Sequence, residues 1–369
     1  MCADQRTHKA TLDVMAGLHP VVVVTGATGA IGAATASVLV RRDARVLLLA
    51  RPSDRLSALV KRLGGEDKRV SSIGVDLSSL ASVRSAAREI GRTVGHIDAL
   101  LNIAATYSSE YHKTKEGFEV MLATNHLGPF LLTNLLRDQL AGRGRAVTVT
   151  APAAARVDID QLMDKTKFKP LDTFGATKAA NLLFTFELAR RARRWEVRVN
   201  ACHPGLVRSE LMREAWRPIR VITRMVSKSP DRAAEDLADL AISPAHEGTT
   251  GWFFKGIKRI EPPRPAQDQQ APARWWARPE GLVGAGEGGP FAGERPRGRG
   301  GVGAGPIALS ANFRSQAGIV DWVNATFPRV MPAKEDAGSG AVAYGPSVAV
   351  HGREDGPAVV MHAFVEAPG

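Results

Sequence analysis

An α/β architecture, a parallel sheet wound with helices on both faces, is predicted for residues 20–268 by three observations. Short, continuous apolar runs alternate with longer amphipathic segments from residue 21 to about residue 254. The first run passes directly into a glycine-rich turn, Val21-Val-Val-Val-Thr25-Gly26-Ala-Thr28-Gly29-Ala-Ile31-Gly32. A tract dense in Gly, Pro and Arg then ends the periodicity. Strands that are apolar on both faces belong to sheets covered on both sides, and right-handed crossovers wind them into the Rossmann-type doubly wound fold.

Taken in order, residues 21–25 read as a buried strand and 31–42 as the helix after it. Residues 45–50 (RVLLLA) form the second strand and 54–63 the second helix. A third strand over 70–75 and a helix over 80–94 follow, then a strand over 99–102 and a long helical region over 117–141. Residues 146–150 (AVTVT), 174–194 and 197–201 complete the series as strand, helix and strand. The chain thus divides into an N-terminal extension (1–19), a dinucleotide-binding domain (20–268), a disordered low-complexity linker (269–306) and a small tail (307–369). The linker cannot bury enough apolar surface to offset the entropy of ordering it. In the tail, apolar residues return at helical spacing over 307–327.

Composition narrows the function. The 369 residues are 44% hydrophobic and 23% charged, the balance of a globular protein. Cys2 and Cys202 are the only cysteines, so there is no disulfide framework and no zinc-ligand pattern. The net charge of +12 fits Arg-rich helix surfaces. No basic stretch alternates with aromatics as a nucleic-acid stacking surface requires, so nucleic acid is not an expected partner. Residues 1–20 lack the apolar core of a signal peptide, and no apolar run reaches membrane-spanning length. A cytoplasmic protein without membrane contact is expected.

Gly26, Gly29 and Gly32 let the backbone turn tightly and approach a pyrophosphate, which the helix N-terminus then binds through free N–H groups and its positive dipole end. An acidic residue ending the second strand would hold the ribose hydroxyls of NAD. Arg51 stands there instead and can pair with a 2′-phosphate, so NADP is expected rather than NAD.

These motifs, in this order, resemble the short-chain dehydrogenase/reductase family and, within it, a retinol-dehydrogenase-like branch, over about residues 20–268. Thr25 to Gly32 looks like the family's phosphate loop, with Ala30 where a glycine is usual. Asp76-Leu77 matches the pair beside the adenine. Leu101-Asn102-Ile103-Ala104-Ala105 is similar to the Asn-Asn-Ala-Gly motif, with its second Asn and its Gly replaced. Asn125-His-Leu-Gly128, Lys178-Ala-Ala-Asn181, His203-Pro204-Gly205 and Gly251-Trp-Phe-Phe254 have counterparts in the branch. The resemblance implies hydride transfer between a nicotinamide cofactor and a small carbonyl or alcohol. It implies a cofactor site of Gly26, Thr28, Gly29, Ile31, Gly32, Arg51, Asp76, Leu77, Asn102, Ala104, Lys178, Pro204 and Gly205, catalytic roles for Asn125 and Lys178, and a homodimer through the helix from Phe174.

At its centre the pattern fails. Phe174 occupies the position of the family's proton-donating Tyr, and Ala151 that of its substrate-orienting Ser. Thr150 is one residue from Ala151 on a strand and so faces the other way. Thr173 and Thr177 flank Phe174, but an alcohol is a far weaker acid than a phenol. Tyr107 follows the Asn102 motif and is the nearest candidate phenol; Tyr111 and Tyr344 complete the set. The residues around 211–228 (Met212, Trp216, Ile219, Val221, Ile222, Met225) are apolar and basic, which suits an apolar substrate or a helix packed on a neighbour. Two functions stay open: an NADP-dependent oxidoreductase with impaired chemistry, and a catalytically inactive nucleotide-binding or regulatory protein.

Leu309-Ser-Ala-Asn312-Phe313-Arg314-Ser315 with Ile319 to Phe327 resembles a fragment of UvrD/RecB-type helicases, in which Arg314 would reach the γ-phosphate of ATP. No G-K-[ST] phosphate loop accompanies it, so no complete ATPase site is present. A third reading, a fusion or misassembled product carrying a non-functional fragment, therefore also stays open.

Overall fold

The computed structural model describes residues 19–64, 69–153, 155, 157–207, 211, 229–268, 270–284, 311–316 and 348–351. Residues 1–18, Met212 to Met225, Tyr344 and the 319–327 half of the helicase-like motif lie outside the described residues.

The chain separates into two compact units, 1–295 and 296–369. In the first, strands β1 (Val21–Thr25), β2 (Arg45–Ala50), β3 (Val70–Gly74), β4 (Ala99–Asn102), β5 (Arg145–Val149), β6 (Arg198–His203), β7 (Phe253–Lys255) and β8 (Lys258–Ile260) form one sheet. Its order is β3-β2-β1-β4-β5-β6-β7-β8, parallel except for the last pair. This is the doubly wound fold that the sequence predicts. β1 consists of four valines and a threonine, all buried, because helices cover both of its faces.

The helices are α1 (Ala30–Arg41), α2 (Asp54–Gly64), α3 (Leu80–Thr93), α4 (Val120–Leu122), α5 (Gly128–Leu135), α6 (Arg137–Leu140), α7 (Ile159–Leu162), α8 (Pro170–Ala192), α9 (Pro230–Ile242), α10 (Arg264–Gln267) and α11 (Ala271–Leu282). The long helical region expected over 117–141 starts at Val120, and within it a π-helical turn, Ala123–Leu127, separates α4 from α5. A wider turn of this kind re-aims the side chains that follow it and often marks a functional position.

The expected disordered linker from 269 is corrected at its start. Residues 271–282 form helix α11, and Trp275 and Trp276 are buried against the core. Trp276 stacks on Phe184 of α8, with centroids 5.8 Å apart, and packs on Phe130 of α5 at 4.8 Å. Pro272 is tolerated because it sits in the first turn, where its missing N–H costs no helical bond. Two indoles supply the burial that aliphatic residues provide elsewhere, and their spacing carries no helical signal.

In the second unit, β9 (Ala311–Gln316) pairs in parallel with β10 (Val348–His351). Residues 311–316, which include Arg314, are therefore strand, not the helical continuation expected over 307–327.

The burial of Trp276 makes α11 part of the domain. Trp276→Ala is expected to lower the unfolding free energy by about 3–5 kcal/mol, as large-to-small changes in a core do, measured by denaturant titration. An exposed linker residue would change it by less than about 0.5 kcal/mol.

Candidate active site

In a parallel sheet every strand ends on the same edge, and ligands bind where the strand order reverses. Here that point is the crevice between β1 and β4, which are neighbours although three strands apart in sequence numbering. Gly26 to Gly32 leave β1 there, Arg51 leaves β2, Asp76 follows β3, Ala104 follows β4, Ala151 follows β5, and Pro204 and Gly205 follow β6.

The turn after β1 is built for glycine. Gly26 has φ +65°, and a Cβ there would stand 2.7 Å from the Ala104 Cα. A Cβ on Gly32 would stand 2.2 Å from the Gly26 carbonyl oxygen. Thr25 ties the turn to β4: its hydroxyl donates to the Leu101 carbonyl at 3.2 Å and accepts from the amides of Ile103 and Ala104. Gly29 is exposed at the rim and is the N-cap of α1, where no side chain caps the first turn. By contrast, Ser79 caps α3 and Ser229 caps α9 through their own side chains. An uncapped helix N-terminus in a glycine cradle fits the pyrophosphate of a dinucleotide. Thr28, Ile31 and Gly32 lie in the same segment. Asp76 accepts from the Ser78 amide and hydroxyl, which fixes its carboxylate, and a Cβ on Gly128 would meet the Leu77 carbonyl at 2.3 Å. Arg51 is exposed and makes no ion pair among the described residues. Asn102 is turned inward, donating to the Thr133 hydroxyl at 2.9 Å.

On the other side of the crevice, α8 carries Phe174, Thr177, Lys178 and Asn181 past the π-helical turn that holds Asn125. Asn125 is fully buried and fully used. Its Oδ1 accepts from the Thr106 amide at 2.7 Å, while its Nδ2 donates to the Thr106 carbonyl at 2.9 Å and to the Thr177 hydroxyl at 3.1 Å. From the sequence, Asn125 had a role, Asn181 was named only as part of a motif and Thr106 was not named; that these two fix Asn125 depends on the fold.

Three of the candidate hydroxyls near residue 174, those of Thr150, Thr177 and Tyr111, are committed elsewhere. Thr177 donates to the Phe174 carbonyl at 2.8 Å, and Thr150 donates to the Lys178 carbonyl at 2.7 Å. Tyr111 donates to the Met163 carbonyl at 2.6 Å. Tyr107 meets the Phe174 ring edge to face, with centroids 5.9 Å apart, in an apolar cluster with Met121, Phe168 and Leu211. Lys178 is 5% exposed, and its Nζ lies 5.4 Å from the centroid of the Phe174 ring. Burial of the ammonium, with no carboxylate to offset it, lowers its pKa from 10.5 to about 8.

Comparison with known proteins identifies the family. Residues 20–219 match the short chain dehydrogenase family. Human retinol dehydrogenase 13 is 35% identical over 278 residues, spanning 71% of this chain and 84% of that protein. Human retinol dehydrogenase 14 is 35% identical over 288 residues, spanning 71% and 86%. An uncharacterized protein of solved structure from Mycobacterium paratuberculosis is 30% identical and superposes with a TM-score of 0.59, covering 72% of this chain and 93% of that one. Among the described residues no helix is long and apolar enough to cross a membrane.

Two outcomes follow from the site. Gly26→Ala is expected to raise the Kd for a reduced nicotinamide dinucleotide, NADH or NADPH, at least about tenfold, equivalent to ~1.4 kcal/mol, by fluorescence titration. Gly117→Ala, also at positive φ but in open space, should leave that Kd unchanged. For Lys178, the folded chain holds fewer protons than the unfolded chain between pH 8 and 10.5, so its contribution to stability rises with pH across that window. Lys178→Met is therefore expected to be more stable than the parent at pH 7, with the gap closing by pH 10.5, measured by denaturant midpoints.

Proposed function

From the premise that this chain belongs to the short chain dehydrogenase family, an oxidoreductase family, we propose that it binds NADP and that its carbonyl–alcohol chemistry is impaired. The observation that carries the proposal is the ring of Phe174 beside Lys178 Nζ, with Ala151 at the end of β5.

A bound nicotinamide cofactor would supply or take up the hydride. The chain would hold it through the amides of Ala30 to Gly32, with Asp76 and Leu77 toward the adenine and Pro204 and Gly205 beyond β6. Arg51 is free to meet a 2′-phosphate, and no carboxylate occupies the end of β2 to hold a bare ribose, which supports NADP over NAD. The walls from Tyr107, Met121 and Phe174 favour an apolar carbonyl or alcohol.

Reduction of a carbonyl also needs a proton at its oxygen. Phe174 has none to give, and Ala151 cannot hold that oxygen in place. Losing a positioned general acid lowers the rate by about 10²–10⁴. Because Thr150 and Thr177 are bound elsewhere, neither restores it. Their commitment equally supports the second reading, a protein that binds the nucleotide without turning substrate over. The helicase-like residues of the tail play no part in either. A homodimer through α8 would have to avoid the face that α11 covers.

The separating experiment titrates the full chain with NADPH and NADH, then assays retinal and short aldehydes. NADPH binding with turnover below that of Phe174→Tyr/Ala151→Ser by about 10²-fold or more is the expected result. Failure to bind either nucleotide would sink the proposal.

A further inference from the structure

Helix α11 lies beyond the 20–219 span that matches the family, yet a single file of hydrogen bonds connects it to Asn125. Trp275 Nε1 stands 3.3 Å from His126 Nε2. An indole N–H only donates, so His126 Nε2 accepts and the ring proton sits on Nδ1. That Nδ1 lies 2.9 Å from Asn181 Oδ1, which accepts it. Asn181 Nδ2 then donates to the Asn125 carbonyl at 2.9 Å. The donor-only indole thus fixes every donor and acceptor along the file.

The file is enclosed. His126 is wholly buried, Asn125 likewise, and Asn181 is 3% exposed. The rings of Phe130, Phe184 and Trp275 surround the imidazole at centroid distances of 6.1, 6.1 and 5.4 Å. In such surroundings an unmade hydrogen bond costs about 1–3 kcal/mol, so the four groups stay in register. The terminal acceptor, the Asn125 carbonyl, lies in the π-helical turn, and the residue four positions on, Pro129, has no N–H to offer it. Asn181 sits on α8 three residues beyond Lys178, so the file spans α11, the π turn and the helix bearing Phe174 and Lys178.

We propose that Trp275 is a positioning residue of the site, acting through His126 and Asn181 on the π-helical turn and so on the Asn125 amide that clamps Thr106 and Thr177. The inference rests on Asn125 and Lys178 forming the reactive end of the crevice. It gives α11 a task at the site in addition to its packing. Trp276 stacks on α8; Trp275, beside it, holds the catalytic turn at its height.

The test uses the full chain labelled with ¹⁵N and long-range ¹H–¹⁵N spectra at pH 7. His126 is expected as the neutral Nδ1–H tautomer, the minor form of free imidazole, with a hydrogen-bonded Nε2. Trp275→Phe keeps an aromatic ring but removes the donor. It should move the Nε2 resonance downfield and shift the side-chain amide pair of Asn125. In the Phe174→Tyr/Ala151→Ser background, the same change should lower kcat about tenfold with KM held within about twofold, the signature of lost positioning rather than lost binding. Trp276→Phe, at the neighbouring stacking position, should leave kcat and the Asn125 amide pair where they are. An Nε2–H tautomer in the parent protein overturns the proposal. So does a Trp275→Phe variant whose Asn125 amides and kcat are unchanged. If the Tyr/Ser double variant shows no turnover, the reading of the site as a repairable enzyme fails, and the tautomer and amide shifts alone decide on Trp275.

Discussion

The close approach of two backbones at the end of β1 governs the rest of the crevice. Gly26 lies against Ala104, and Gly32 against the Gly26 carbonyl, at separations that leave no room for a Cβ. That packing brings the N-terminus of α1 to the point where β1 and β4 part. Thr25 reinforces it with three hydrogen bonds to β4 and the residues after it. Everything that a dinucleotide would touch, from Arg51 to Gly205, is placed relative to this contact by the register of a parallel sheet.

At the end of the crevice proposed as reactive, the frame around Asn125 is tightly held and residue 174 is a phenylalanine. The π-helical turn, Thr106, Thr177 and Asn181 hold Asn125 from three directions, and Lys178 remains buried beside residue 174. Keeping an uncompensated ammonium there disfavours the folded state at neutral pH. Beside Phe174 that cost is offset only by contact with the ring face, a cation–π attraction of about 0.5–2 kcal/mol.

Much of this was legible in the sequence, for physical reasons that differ by element. Strands β1, β2 and β4 could be read because burial on both faces demands unbroken apolar runs such as Val21 to Val24 and Leu47 to Leu49. The short strands β7 and β8 could not, since Phe253 to Ile260 mixes two buried aromatics with exposed basic residues. The break in the helix around Asn125 was hidden because a π turn inserts a residue without changing the residue types. Helix α11 was hidden because Pro272, Pro279 and a Gly-rich sequel imitate a linker, while two indoles carry the burial. At the site, motif residues could be named one by one. What fixes them, such as the Thr106 backbone or the Trp275 indole, is visible only after folding.

The saturation of Asn125 has a consequence for how degenerate relatives are recognised. A side chain whose every hydrogen is already spent on its own scaffold persists under selection for folding alone, whether or not any substrate is ever turned over. Its survival in a motif is therefore silent about competence. Positions 174 and 151, whose side chains bear no hydrogen-bonding duty in the fold, are free to drift once the reaction ceases to matter. The informative letters in such a sequence are those the architecture can afford to lose.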